Sequence, residues 1–107
     1  MRRFTQKLCG QRGWFVGSWP EAAYQTDAVE VAHGLSLAGE HSPAHYHKLA
    51  TEINVVTSGE VLVNGEIFRT GEGFILEPGE ICEATYITDT WTLVVKLPGA
   101  YNDKYLV

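Results

Sequence analysis

Gly39-Glu40-His41-Ser42-Pro43-Ala44-His45-Tyr46-His47-Lys48-Leu49-Ala50-Thr51-Glu52 holds three of the chain's four histidines and closes on a carboxylate. His45 and His47 are two apart, so on a strand both rings project from one face. Their Cα atoms then stand roughly 6.6 Å apart, close enough for both imidazoles to reach one ion. Glu52 follows His47 by five positions, an odd separation that turns it to the opposite face of an uninterrupted strand. A bulge or turn at Lys48-Leu49-Ala50-Thr51 returns it to the same side. Two histidines and a carboxylate on neighbouring strands form a facial set that holds divalent iron, manganese or zinc and leaves positions open. An isolated His-x-His is more often a solvated strand face, and the glycines around this one change its meaning.

Outward from this stretch the chain reads as short strands cut by turn residues. Ala28 to Ala38 alternates, with Val29, Val31, His33, Leu35 and Leu37 on one face. Glu52 to Thr57 and Glu60 to Val63 flank a tight turn at Ser58-Gly59. Asn64-Gly65 is a strong hairpin signal, because a type I′ turn needs positive φ at both central positions. Gly73 to Leu76, Ile81 to Ile87 and Trp91 to Leu97 are further strands, separated by Glu77-Pro78-Gly79 and Thr88-Asp89-Thr90. Before them, Trp14-Phe15-Val16 reads as an edge strand and Trp19 to Ala23 as a loop or one helical turn. This pattern predicts an all-β, single-domain fold. Residues 1–27 are expected to form a strand-and-loop extension packed on a β-barrel domain spanning 28–107.

Gly39, five residues, His45-x-His47, four residues, Glu52, six residues and Gly59 together resemble the first motif of the cupin superfamily at every defined position. The resemblance covers roughly residues 28 to 97. It implies a small jelly-roll β-barrel with a metal inside, held by His45, His47 and Glu52. The second cupin motif is where the chain departs. Four residues, not five, separate Gly73 from Pro78, Gly79 follows Pro78 directly, Glu83 stands where the family has histidine, and Ile87 where it has asparagine. The fourth ligand is therefore either the Glu83 carboxylate or absent. Two neutral imidazoles and two carboxylates around a divalent cation carry no net charge, and the extra carboxylate favours manganese, iron or zinc over Cu(I). If Glu83 is not a ligand, it is a candidate general base.

Thirteen acidic residues against eight basic ones give a formal net charge of -5 over 107 residues. Only Arg2, Arg3, Lys7 and Arg12 cluster, so nucleic acid is not an expected partner. The chain has no apolar run long enough to span a bilayer and no signal-peptide pattern, which predicts a cytoplasmic protein with no membrane partner. Cys9 and Cys82 have no metal-type spacing and read as reduced thiols, with Cys82 packed in a strand.

Other side chains are placed by parity. Asn54 shares a strand face with Glu52, which makes it a candidate contact for the ion's ligands or for a substrate. Tyr46 faces away from the histidines and packs. His33 reads as a satisfied core histidine, and His41 as lining a cavity mouth or solvated. Trp91, Leu93, Val95 and Leu97 form one apolar face, expected in the core. Trp14, Phe15 and Trp19 are expected at a barrel end or against a partner subunit. Because this fold hosts many activities, two functions follow. One is a small metalloenzyme of dioxygenase, isomerase or lyase type acting on an oxygen-rich small molecule. The other is a non-catalytic module holding a metabolite or structural metal. A homodimer is expected, since a short open barrel leaves edges to protect.

Overall fold

The computed structural model of the protein describes residues 1–99 and 102–107. After a 3₁₀ turn at Gln6–Leu8, the described residues run through β1 (Trp14–Gly17), β2 (Tyr24–Gln25), β3 (Glu30–Ser36), β4 (His41–Tyr46), β5 (Thr51–Ser58) and β6 (Glu60–Val63). They continue through β7 (Glu66–Arg69), β8 (Gly73–Leu76), β9 (Cys82–Tyr86), β10 (Thr90–Leu97) and β11 (Tyr105–Leu106). One sheet has the order β2-β1-β3-β10-β5-β8 and the other β11-β4-β9-β6-β7. All pairings are antiparallel except the short β1–β2 contact. The fold is an all-β jelly roll. Among the described residues no ladder joins the two sheets at their edges, so the jelly roll is open there, as the expectation of edges to protect requires.

Local chemistry sets the turns. Asn64 and Gly65 take φ of 49° and 84°, the left-handed pair of a type I′ hairpin, and place Val63 opposite Glu66. Gly59 has φ of 108°, and a Cβ there would stand 2.6 Å from the Asp89 carbonyl oxygen. Only glycine fits both demands.

The apolar core lies between the sheets, and part of it forms a wall of the interior cavity. Val56, Val61, Val63, Leu76, Cys82 and Ala84 are buried together, with Phe68, Phe74 and Tyr86 packed against them. Each fully buried valine contributes about 1.5–3 kcal/mol.

Along β3 and β10 the strand alternation has the expected period and the opposite sense. Thr92, Val94 and Lys96 of β10, with Glu30, Ala32 and Gly34 of β3, line an interior cavity. Trp91, Leu93, Val95 and Leu97 therefore face outward, with Trp91 and Leu97 exposed, and do not form the core. The physical reason is that Glu30 and Lys96 turn into the cavity, which sends the apolar residues out, where the N-terminal segment covers part of them. Phe4 stacks on Phe15 at 5.9 Å, and both line an apolar hollow with His33 and Leu93. His33 packs on Trp91 at 5.1 Å and meets Thr57 Oγ1 at 2.8 Å, on the outer face instead of in the core. β1 lies between β2 and β3, so it is not the edge strand. Trp14 and Trp19 turn into the cavity.

Candidate functional site

Both sheets line a cavity of about 1130 Å³. β4 brings His45 to it through a bulge. Ser42 pairs with Ala84 and His45 with Cys82, so three steps along β4 match two along β9. The extra residue reverses parity, and Ser42 and His45 both line the cavity although an odd number of positions separates them. Pro43 sits inside the bulge, where its missing N–H breaks no ladder bond. Its carbonyl accepts a hydrogen bond from His45 Nδ1 at 2.9 Å. With Nδ1 carrying the proton, the Nε2 lone pair of His45 is free to bind an ion.

His47 lies just past β4 and is buried, its ring centroid 5.6 Å from that of His45 with the planes nearly perpendicular. Burial holds its pKa below the ordinary value of 6.5; Lys96 and His45 push the same way, while Glu52 and Asp103 oppose them. A neutral ring is the form that binds a metal.

The chain breaks between β4 and β5, and Glu52, second residue of β5, joins the two histidines in lining the cavity. The break falls at the Lys48–Thr51 stretch where the sequence required one. It is held by a residue that sequence reasoning missed. Buried Asp103 accepts backbone hydrogen bonds from Lys48, Leu49 and Ala50, each 2.9 Å long. Desolvation raises the Asp103 pKa, but the three N–H donors outweigh it and hold the group below its ordinary value. Three consecutive donors on one carboxylate fix the path from His47 to Glu52. Nothing in the sequence marks it, since Asp103 lies between Asn102 and Lys104 and reads as part of a polar turn.

Asn54 is buried and faces the cavity. Lys96 and Glu30 face it too: Lys96 pairs with Glu30 across one ladder and with Glu52 across the other. The Lys96 ammonium is 3.4 Å from Glu30 Oε1 and 5.3 Å from the Trp14 ring. Buried Cys82 has its thiol pKa raised to about 11, by desolvation first and the Glu52 charge second. It and Cys9 are both free thiols. Tyr46 packs away from the histidines, stacked on Tyr105 at 5.5 Å.

Glu83 is not brought to this set. Cys82 and Ala84 point inward, so Glu83 between them points outward, more than half exposed and 3.1 Å from His41 Nε2. One-residue alternation on β9 decides its face. His41 stands at the cavity mouth with its ring turned to Glu83 and to Thr85 Oγ1, 3.0 Å away. Among the described residues, no three His, Cys, Asp or Glu side chains already converge on one point as metal ligands would. What fits an ion is the donor chemistry: one histidine with a fixed tautomer, a second held neutral, and a carboxylate facing the same cavity.

Two largely antiparallel sheets enclosing a cavity, with His45 on one, His47 just past its strand and Glu52 on the other, give the double-stranded β-helix fold, the fold of the cupins. Solved structures of that fold resemble it over two thirds or more of its length. An uncharacterised protein from Klebsiella pneumoniae with a double-stranded β-helix domain is 22% identical, with a TM-score of 0.69 over 77% of this chain and 72% of that one. DMSP lyase DddQ from Ruegeria pomeroyi is 20% identical, with a TM-score of 0.71 over 98% of this chain and 59% of its own. A recombinant oxalate oxidase in complex with glycolate is 25% identical, with a TM-score of 0.61 over 68% of this chain and 43% of its own. The chain thus spans less than two thirds of either enzyme. No family model and no curated protein matches it. Among the described residues, no helix is long and apolar enough to cross a membrane.

Proposed function

We propose that the protein is a small metal-dependent cupin enzyme acting on an oxygen-rich small molecule, with His45, His47 and Glu52 as ligands to divalent iron, manganese or zinc. The observation that carries this reading is the Pro43 carbonyl on His45 Nδ1, which presents the opposite nitrogen to the cavity beside a neutral His47. Glu52 completes the set on binding, and Asp103 keeps its strand in place. When bound, the ion supplies Lewis acidity to substrate oxygens. The residues of this chain orient the substrate through Asn54, Lys96 and Glu30. That two fold neighbours are an oxalate oxidase and a DMSP lyase supports an enzyme on this scaffold. Cytoplasmic residence and a homodimer complete the proposal; the free thiols of Cys9 and Cys82 suit a reducing compartment.

The decisive experiment is metal analysis of protein purified without chelators. Wild type is expected to hold one divalent ion per chain. His45→Ala and His47→Ala are each expected to lose it while keeping the β circular-dichroism spectrum. Wild type that takes up no divalent ion at micromolar concentration overturns the proposal.

The alternative, a non-catalytic module that holds a metabolite or metal, is favoured by one observation. Glu83, the candidate general base, is on the outer surface. Substrate turnover that disappears with the metal selects the enzyme, and ligand binding without turnover selects the module.

A further inference from the structure

Glu30, Lys96 and Glu52 stand opposite one another in a transverse row across β3, β10 and β5, all facing the cavity, and Asn54 is the next inward residue along β5. Glu30 and Asn54 keep only 8% and 9% of their surface exposed. Each carries a buried atom with no hydrogen-bond partner, Glu30 Oε1 and Asn54 Nδ2. Lys96 Nζ lies 3.4 Å from that same oxygen, attracting it without the geometry of a hydrogen bond. Buried polar atoms are almost always satisfied, so each exception calls for an explanation, and in a cavity wall a bound molecule that supplies the partner is one.

The two atoms ask for different things. A carboxylate oxygen needs a donor, and an amide N–H needs an acceptor. Charge adds a third condition. With the two histidines neutral, as ligation of an ion requires, a divalent ion on Glu52 and Lys96 offsetting Glu30 leave one positive charge in this part of the cavity. A plain carboxylate answers the charge and the Asn54 amide but sets a bare oxygen against Glu30. A plain polyol answers both atoms and leaves the charge. A hydroxy acid answers all three. At strand spacings of about 4.8 Å and a rise of about 3.4 Å per residue, the Glu30 and Asn54 Cα atoms are roughly 12 Å apart. Side chains reaching inward from both ends leave room for a molecule of a few carbons.

We propose that Glu30, Lys96 and Asn54 form the organic-ligand subsite of the cavity, and that its ligand is a small hydroxylated carboxylate. The hydroxyl donates to Glu30 Oε1, a carboxylate oxygen accepts from Asn54 Nδ2, and Lys96 lies beside the charge. The charge count rests on the metal reading above.

The test uses three probes on one carbon skeleton (lactate, propanoate and propane-1,2-diol), titrated calorimetrically into the zinc-loaded full chain. Lactate is expected to bind about tenfold or more tighter than either analogue, the discrimination of a site built to pair a hydroxyl. In Asn54→Leu that margin collapses and zinc affinity stays, while the ligand-free melting temperature rises because a buried orphan amide is gone. The paired variant Glu30→Gln with Lys96→Met keeps shape and leaves no buried charge unpaired. In it lactate loses its advantage over propanoate. Wild type that holds zinc but binds lactate no better than propanoate overturns the subsite and spares the metal reading. Wild type that holds no zinc overturns both. Lactate affinity unchanged in Asn54→Leu also overturns the subsite.

Discussion

The Asp103 carboxylate accepts the Ala50 backbone N–H at 2.9 Å, across 53 positions of sequence. Through it the C-terminal segment grips the loop between the two histidines and Glu52. β11 continues the grip, with Leu106 paired to His45 and Tyr105 to Tyr46. The arrangement predicts that Asp103→Asn is costly although nearly isosteric. Hydrogen bonds to a charged acceptor contribute about 1.5–3 kcal/mol each, and an amide keeps one acceptor of the two. Denaturant unfolding is expected to report a loss of about 2–3 kcal/mol. Because the loop sets the spacing of His47 and Glu52, metal affinity is expected to fall by about tenfold or more, as it does when supports of metal ligands are removed. Full metal affinity in a destabilised variant would confine Asp103 to a folding role.

The lowered pKa of His47 makes a prediction for the metal-free protein. Below the ordinary value of 6.5 the unfolded chain protonates this ring while the folded chain, whose value is lower, resists. The unfolded state then binds more protons, so stability rises with pH until about 6.5 and this contribution levels off above it. Melting temperatures of chelator-treated protein between pH 5 and 7.5 are expected to follow that curve. The His47→Gln variant should flatten it. A wild-type profile that falls as pH rises through this window contradicts a neutral buried His47.

On the outer face of the larger sheet, Ile75, Ile53, Val95 and Val31 occupy one transverse row across β8, β5, β10 and β3. Ile53 is 38% exposed and Ile75 57%, with exposed Trp91 and Leu97 on the same face. A second copy of a chain with net charge -5 is best met through such an uncharged stripe. Light scattering is expected to give a dimer mass at high micromolar concentration, and Ile75→Glu is expected to give a monomer. A wild-type monomer removes the homodimer from the proposal. Trp14 and Trp19, first considered for this interface, face the cavity instead.

How much was legible in the sequence depends on what each residue's environment had to be. The Asn64-Gly65 hairpin and the strands at Glu60–Val63 and Gly73–Leu76 were legible to the residue, since left-handed φ and strand alternation are local properties. The His45, His47 and Glu52 placement was legible as far as the need for a break after His47. The bulge was not read from Pro43, although proline within a strand is a bulge signal. The sense of β3 and β10 was misread because an apolar face was equated with the core. In a fold whose interior is half cavity, the charged side chains of these strands point in, and the N-terminal segment covers the outward face only around His33 and Leu93. Lys96, Glu30 and Asp103 were missed for the same reason: each is charged, so each looked like surface.

Glu83 gives the sharpest check of that lesson. On β9 it lies between inward Cys82 and Ala84, and its carboxylate meets His41 in solvent, both side chains about half exposed. A carboxylate–imidazole contact so exposed contributes about 0–1 kcal/mol at most. Glu83→Gln and Glu83→His are therefore both expected to leave stability within about 0.5 kcal/mol of wild type. Neither carboxylate nor imidazole at this position reaches the cavity, so both variants should also keep the wild-type affinity for zinc and for manganese. Titration of the two ions into each variant measures it. A drop in affinity for Glu83→Gln, or a shift toward zinc for Glu83→His, would mean that β9 presents residue 83 inward in solution and would return Glu83 to the ligand set.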